Sequence, residues 1–140
     1  MSKSLFWKMM DGELPLPAAA LTLGATITHI SRDEGTITVE FEGKPEFANP
    51  VGTIQGGFLA AMLDDTMGPA LTATLPAGEF APTLELKTSF FAPATVGKLV
   101  GYGRVVARGG SVCFLEGELK QGDKLVARAS ATAIIKKISR

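Results

Sequence analysis

Two adjacent acids, Asp64 and Asp65, interrupt an apolar stretch of the chain. The apolar residues around them recur every three or four positions, which predicts a helix from about residue 56 to about residue 75. A buried ionised carboxylate is costly unless it is paired, so an apolar helix that keeps one indicates a functional acid. The alternative is that the acids lie at a solvated edge of the helix, where most aspartates are found.

Asp64 is the better candidate of the two acids. Because a helix advances about 100° per residue, the other members of its face are small; they are Ala60, Ala61 and Gly68. Such a face lets a ligand or a second copy of the helix approach the carboxylate closely. Asp65 points about 100° away from Asp64 along the helix, and two enclosed neighbouring acids raise each other's pKa.

The predicted helix begins at a pair of glycines, Gly56 and Gly57. The backbone N–H groups at a helix start are unpaired and carry a partial positive charge. Because glycine has no Cβ, a carbonyl oxygen can reach the Gly56 N–H, which is one way to hold a developing oxyanion. A tight turn from loop to helix is the alternative interpretation of the same residues.

Gly56 and Asp64 are too far apart on one helix to act on one carbon. Eight residues separate them, which corresponds to about 12 Å along a helix. Two copies related by a twofold axis can bring Gly56 of one subunit to Asp64 of the other. If both residues are functional, the spacing predicts an obligate homodimer with shared sites.

Strand-like runs rich in β-branched and aromatic residues flank this helix. They cover about residues 25–31, 36–42, 83–91, 99–107, 112–119 and 125–135. A short amphipathic helix precedes them near residues 5–10, and Pro15 and Pro17 are expected to keep the next segment extended as far as residue 22. The order predicts one α+β domain over residues 1–140, a mostly antiparallel sheet wrapped around one long central helix. Pro69 should kink or shorten that helix.

Composition excludes several function classes. The 140 residues hold 14 Lys plus Arg and 14 Asp plus Glu, so there is no basic excess for nucleic acid. Cys113, the only cysteine, lies in an apolar run, and no cluster has metal-ligand spacing. No stretch is long enough to span a membrane, and no signal peptide is evident, so a cytoplasmic location is expected. His29, the only histidine, lies on a predicted strand away from the helix start.

Three motifs together resemble the hotdog-fold acyl-CoA thioesterases, especially the PaaI-like branch and its hydroxybenzoyl-CoA relatives. They are NPVGTIQGGFLAAMLDD (49–65), PTLELKTSFFAPATVG (82–97) and ARGGSVCF (107–114). The likeness covers about residues 23 to 137. It implies hydrolysis of an acyl-CoA thioester by a homodimer with shared active sites, with dimers pairing into a tetramer. It implies no metal or redox cofactor, since CoA is part of the substrate.

The resemblance also implies roles for individual residues. Asp64 is expected to be the nucleophile or general base, and the Gly56 N–H to polarise the thioester carbonyl. Asn49 and Gln55 would orient substrate or water. Thr83, on the strand after the helix, would support the carboxylate of its own subunit.

The resemblance further implies where the two ends of the substrate bind. Phe90 would lie beside the pantetheine path, and a turn would hold the CoA nucleotide; this turn consists of Arg108, Gly109, Gly110 and Ser111. A plain hairpin with a solvated arginine is the alternative for that turn. The acyl pocket is expected to be apolar, lined by Phe58 and Met62, which suits an aromatic or medium-chain acyl group.

One position departs from the family pattern. Many PaaI-like members have histidine directly before the Gly-Gly pair, where this chain has Gln55. Glutamine donates a hydrogen bond but does not titrate near neutral pH. Two alternatives therefore stay open, a non-catalytic acyl-CoA binding or sensing module and a helix face that serves only assembly. A hotdog dehydratase is disfavoured, because such enzymes pair a histidine with an acid. In this sequence no histidine lies near the helix start.

Overall fold

The computed structural model describes residues 3–138. Its helices are α1 (Leu5–Met10), α2 (Ala18–Thr22) and α3 (Gly56–Thr72), with a 3₁₀ turn at Pro45–Phe47. Its strands are β1 (Thr26–Ser31), β2 (Thr36–Gly43), β3 (Glu79–Phe80), β4 (Thr83–Phe90), β5 (Gly97–Arg108), β6 (Val112–Gln121), β7 (Lys124–Ile134) and β8 (Lys136–Lys137). Six of the strands form one antiparallel sheet in the order β1-β2-β5-β6-β7-β4. The predicted α+β fold, with a sheet around a central helix, is confirmed.

Helix α3 lies close against strands β5 and β6 because glycines occupy the contact. A Cβ on Gly103 would lie 3.0 Å from Thr66 Cγ2, and one on Gly117 would lie 2.9 Å from Met67 Cγ. Both distances are tighter than ordinary packing, so glycine sets the spacing between helix and sheet. Fully buried apolar residues of the helix and the inner sheet face complete the core; they include Val39, Phe41, Leu63, Leu71, Leu99 and Leu119.

Strand β4 forms one edge of the six-stranded sheet. It pairs with β7 on one side, and within residues 3–138 no strand pairs with its other side. Two large apolar side chains on or next to this edge, Leu84 and Phe91, are exposed. An unpaired edge with exposed apolar groups is suited to pairing with another chain.

The structure corrects two expectations about the segments around the strands. The segment after Pro17 is not extended throughout, because Ala18–Thr22 forms α2. Its run of alanines favours helix, and Ala20 is buried against the body of the protein. Helix α3 continues through Pro69 and ends at Thr72, three residues before the expected end. The two-residue strands β3 and β8 had no signal in the sequence.

Among the described residues, no helix has both the length and the apolar character needed to cross a membrane.

Candidate active site

Asp64 lies on the exposed side of α3 and accepts a hydrogen bond from Thr83. The Thr83 hydroxyl donates to Asp64 Oδ1, with 3.0 Å between the two oxygens. The structure thus brings together two residues that are 19 positions apart in the sequence. This bond fixes one carboxylate oxygen and leaves the other free to act on a ligand.

A β-bulge aims Thr83 at the helix. Thr83 pairs with Ala133 and Glu85 pairs with Thr132, so Leu84 is an extra residue in β4. Residues paired across antiparallel strands point to the same face, and Ala133 is buried on the inner face. Without the bulge, strict alternation would turn Thr83 outward, away from Asp64.

Asp65 has a different environment from its neighbour. Its side chain is half-buried. Burial, with a smaller contribution from the charge of Asp64, raises the pKa of Asp65 to about 6. Asp65 therefore changes its protonation state near pH 6. The two acids also differ in exposure, since Asp65 is half-buried and Asp64 is exposed.

The start of α3 offers free donors. Within the described part of the chain, the N–H groups of Gly56 and Gly57 donate to no protein acceptor. The ring of Phe90 lies against Gly56, since a Cβ on Gly56 would be 3.1 Å from Phe90 Cζ. Phe90 is itself 53% exposed. Gly56 and Phe90 thus border one accessible surface at the N-terminal end of the helix.

Asn49 shapes the loop that leads into α3. Its Oδ1 accepts from the N–H groups of Val51 and Thr53, both at 3.1 Å, and its Nδ2 donates to Thr53 Oγ1 at 2.8 Å. One N–H of the amide is left for a substrate or a water molecule. Gln55 is the N-cap residue of α3, and its exposed side chain makes no capping hydrogen bond.

The two residues assigned to the acyl pocket differ in exposure. Phe58 is half-buried, and its ring stacks on Phe47 with centroids 4.2 Å apart. Met62 has no exposed surface and belongs to the core. In this conformation Met62 adds no surface to a pocket, because it lies on the sheet side of the helix. Phe47 is buried and supports the ring of Phe58 from behind, a role for which the sequence contains no signal.

The predicted nucleotide turn joins β5 to β6 near the C-terminal end of α3. All four residues of the turn are exposed; they are Arg108, Gly109, Gly110 and Ser111. Arg108 Nη1 donates to Thr74 Oγ1 at 3.2 Å, and the Gly109 N–H donates to the Val112 carbonyl at 2.9 Å. The Ser111 carbonyl accepts from the Ile135 N–H at 2.7 Å.

The predicted site residues therefore form three groups along α3. Gly56 and Phe90 lie at its start, Asp64 and Thr83 near its middle, and the Arg108 turn beyond its end. The first two groups are about 12 Å apart along the helix axis. One chain does not bring Gly56 to Asp64. Within residues 3–138, no three His, Cys, Asp or Glu side chains are grouped as a metal site.

Known proteins with similar sequences are thioesterases and esterases. The family model of the thioesterase superfamily matches residues 51–133. A protein of Saccharolobus solfataricus that carries the name of an esterase is 34% identical over 101 residues, covering 71% of each chain. Human acyl-coenzyme A thioesterase 13 is 28% identical over 109 residues, covering 76% of this chain and 77% of the human one.

Solved structures of other proteins have a similar fold. A protein from Ralstonia eutropha JMP134, described as a thioesterase and as phenylacetic acid degradation-related, is 45% identical with a TM-score of 0.90. The match covers 92% of this chain and 98% of that one. The Escherichia coli PaaI protein shares the fold with a TM-score of 0.81 at 21% identity, covering 96% of this chain and 94% of that one. The chain therefore belongs to the thioesterase superfamily, and it is a thioester hydrolase with the hotdog fold.

Proposed function

We propose that this protein hydrolyses acyl-CoA thioesters to a free acid and CoA, with Asp64 as the catalytic carboxylate. The observation that carries the proposal is the hydrogen bond from Thr83 to Asp64 on the exposed side of α3, beside the edge strand β4. It holds a carboxylate in one orientation where a ligand can reach it. The name of the human relative, an acyl-coenzyme A thioesterase, agrees with a CoA substrate.

The active unit would be a homodimer that pairs along β4. The free edge of β4 offers unpaired backbone groups, and Leu84 and Phe91 add apolar surface. An antiparallel pair of β4 strands about a twofold axis would join two six-stranded sheets into one continuous sheet. Further pairing of such dimers into a tetramer stays a prediction from the family resemblance.

This pairing would bring Gly56 and Asp64 together from two chains, although the two residues are about 12 Å apart along the helix of one chain. In each chain Phe90, at one end of β4, contacts Gly56, and Thr83, at the other end, contacts Asp64. Antiparallel pairing about the middle of β4 places the Phe90 end of one strand opposite the Thr83 end of the other. Gly56 of the partner subunit would then face Asp64. These two contacts and the free edge of β4 support the shared site that the helix spacing predicts.

The chemistry would proceed by addition and elimination at the thioester carbonyl. Either the Asp64 carboxylate attacks the carbonyl carbon, or it removes a proton from a water molecule that attacks. The carbonyl π electrons move to oxygen, and the Gly56 N–H of the partner subunit donates to that oxyanion. Collapse of the tetrahedral species breaks the C–S bond and releases the CoA thiolate, which in the general-base route takes up the proton that Asp64 removed from water. If Asp64 attacked directly, an acyl-Asp64 anhydride would form, and one water molecule would hydrolyse it to the acid and restore the carboxylate.

Two surfaces would bind the rest of the substrate. The exposed Arg108 can bind a phosphate of CoA, and the glycines beside it allow close backbone contact. The half-buried ring of Phe58, which stacks on the buried Phe47, favours an aromatic acyl group over a medium-chain one. The description of the Ralstonia eutropha relative as phenylacetic acid degradation-related agrees with this preference.

Steady-state hydrolysis of phenylacetyl-CoA, hydroxybenzoyl-CoA and hexanoyl-CoA, followed by release of free thiol, tests the proposal. The expected result is turnover with the highest kcat/KM for an aromatic substrate. Phe58→Leu should narrow the difference between aromatic and aliphatic substrates. Tight binding of acyl-CoA without turnover would instead support a binding module, and an absence of binding would support a role in assembly alone.

The same hydrolysis assay tests whether Gln55 can replace the histidine that many PaaI-like members have at this position. Its side chain makes no capping hydrogen bond and is exposed, so its amide stays available to a carbonyl oxygen. If it only donates a hydrogen bond, Gln55→His should change kcat little at pH 8, where the imidazole is neutral and also donates. A large gain in kcat with a new pH dependence near the pKa of histidine would show that a titrating group is missing at this position.

A further inference from the structure

Arg108 is linked to the end of helix α3 through a threonine that had no signal in the sequence. Thr74, two residues beyond α3, accepts from Arg108 Nη1 at 3.2 Å. The Thr74 hydroxyl donates in turn to the Leu71 carbonyl at 2.6 Å. Arginine can only donate and the carbonyl can only accept, so the hydroxyl must accept from Arg108 and donate to Leu71. The direction of this short chain of hydrogen bonds is therefore fixed.

The backbone aims Arg108 at this threonine. A bulge inserts Val106 into β5, and beyond it Arg108 pairs with Cys113, which is fully buried on the inner face. Arg108 therefore points to the helix side of the sheet. The carbonyl end of α3 carries a partial negative charge, which favours a guanidinium there.

The segment that carries Thr74 is itself held in place. Trp7 Nε1 of α1 donates to the carbonyl of Ala73, the residue before Thr74, at 3.0 Å. Trp7 packs edge-on against the buried Phe6, and the guanidinium of Arg32 lies 5.7 Å from its ring centroid. A contact from α1 thus holds the residue next to Thr74, the threonine that accepts from Arg108.

We infer that Thr74 is a positioning residue that orients Arg108 for a phosphate group of CoA, an inference that rests on the proposed acyl-CoA substrate. Only one of the five guanidinium N–H groups of Arg108 is used on Thr74. Within residues 3–138 Arg108 makes no ion pair, so the remaining donors can bind a phosphate. Holding the side chain before the substrate arrives lowers the entropy lost on binding.

The test compares Thr74→Val, which removes the hydroxyl at nearly constant shape, with Thr74→Ser, which keeps it. Each variant is assayed with an acyl-CoA and with the matching acyl-pantetheine thioester, which lacks the nucleotide and its phosphates. Thr74→Val should raise KM for the acyl-CoA about fivefold, the loss of one hydrogen bond to a charged group at a partly exposed site. Its kcat, and its KM for the acyl-pantetheine, should match wild type, and Thr74→Ser should match wild type on both substrates.

A double-variant comparison separates positioning from a general loss of structure. In an Arg108→Met background, Thr74→Val should raise KM for the acyl-CoA no further, because the residue that it positions is absent. An equal rise in both backgrounds, a rise with acyl-pantetheine, or an unchanged KM in Thr74→Val alone would overturn the inference. If wild type neither binds CoA in a calorimetric titration nor hydrolyses acyl-CoA, the proposed function itself fails and the inference fails with it.

Discussion

Asp64 and Asp65 are neighbours in sequence but lie on two different sides of α3. Asp64 is exposed beside the free edge of β4 and accepts a hydrogen bond from Thr83. Asp65 is half-buried, and its carboxyl has a pKa raised to about 6 by burial and by the charge of Asp64. The same side chain on the same helix thus meets two environments because successive residues are about 100° apart.

The two acids therefore differ in orientation and in access to a ligand. A carboxylate that is to act on a ligand needs to be ionised, oriented and accessible. Asp64 is oriented by Thr83 and accessible, whereas Asp65 is half-buried against the body of the protein. We therefore assign chemistry to Asp64 alone, and we expect Asp65 to influence stability instead.

The largest expected effect on activity comes from exchanging Asp64 for its amide, with the same exchange at Asp65 as the comparison. Asp64→Asn should lower kcat about a thousandfold, because the amide cannot attack a carbonyl or accept a proton from water. Asp65→Asn, the matched control, should keep kcat within a few-fold of wild type at pH 7 to 8. Thiol release from the best acyl-CoA substrate measures both. Equal losses in the two variants would contradict the division of roles between the two sides.

The second effect is a pH-dependent change in stability at Asp65. Its pKa is higher in the folded chain than the ordinary aspartate value of 3.8, so the folded state binds more protons between about pH 4 and pH 6. The free energy of unfolding should therefore fall as pH rises through this range, by an amount on the order of 2 kcal/mol. Asp65→Asn should remove this fall and be the more stable form at pH 7.

Urea unfolding of wild type and Asp65→Asn at pH 4, 5, 6 and 7 measures this change. The difference in unfolding free energy between the two proteins should grow with pH and level off above about pH 6. A difference that stays constant over the whole range would mean that Asp65 has an ordinary pKa. The comparison between the two acids would then lose its physical basis.

The smallest expected effect concerns the hydroxyl that orients Asp64. Thr83→Val keeps the strand and its bulge but removes the donor, so kcat should fall about tenfold, the contribution of one hydrogen bond to a charged acceptor. Thr83→Ser should keep most of the activity, because it retains the hydroxyl. If Thr83→Val and Thr83→Ser had equal kcat, the hydrogen bond seen in the structure would have no part in the reaction.

The sequence predicted the helix and strands well because their signals are local. The change from alternating to helical periodicity located α3, and Val, Ile and Phe runs located the six strands of the main sheet. The segment Ala18–Thr22 is a helix, although Pro15 and Pro17 before it predict an extended chain. Its three alanines favour the helix. The predicted C-terminal end of α3, at about residue 75, lies three residues beyond the observed end at Thr72. Helix ends are the least certain part of a prediction from periodicity.

Contacts within the candidate site depended on information that is not local. The bulges at Leu84 and Val106 turn Thr83 and Arg108 toward the helix, and no residue type in the sequence marks them. The hydrogen bond from Trp7 to Ala73 joins residues 66 positions apart. Chemical type and spacing were enough to nominate Asp64 and Gly56, but not the residues that orient the site.

The central claim is that one active site combines Gly56 of one chain with Asp64 of another. Hybrid dimers test it most directly, with Gly56→Pro in one chain and Asp64→Asn in the other, each chain carrying a different affinity tag. Proline removes the N–H and is tolerated at the first position of a helix, and Gln55 before it is already extended. The proline Cβ would lie 3.1 Å from Phe90 Cζ, so the exposed ring of Phe90 must shift slightly to accommodate it.

Each homodimer should be nearly inactive, since neither has an intact site. The hybrid should regain about half of the wild-type activity per dimer, because one of its two sites combines an unchanged Gly56 with an unchanged Asp64. A purified hybrid that is dimeric and folded but as inactive as its parents would contradict the shared site. A protein that is monomeric at assay concentrations and still active would contradict it as well.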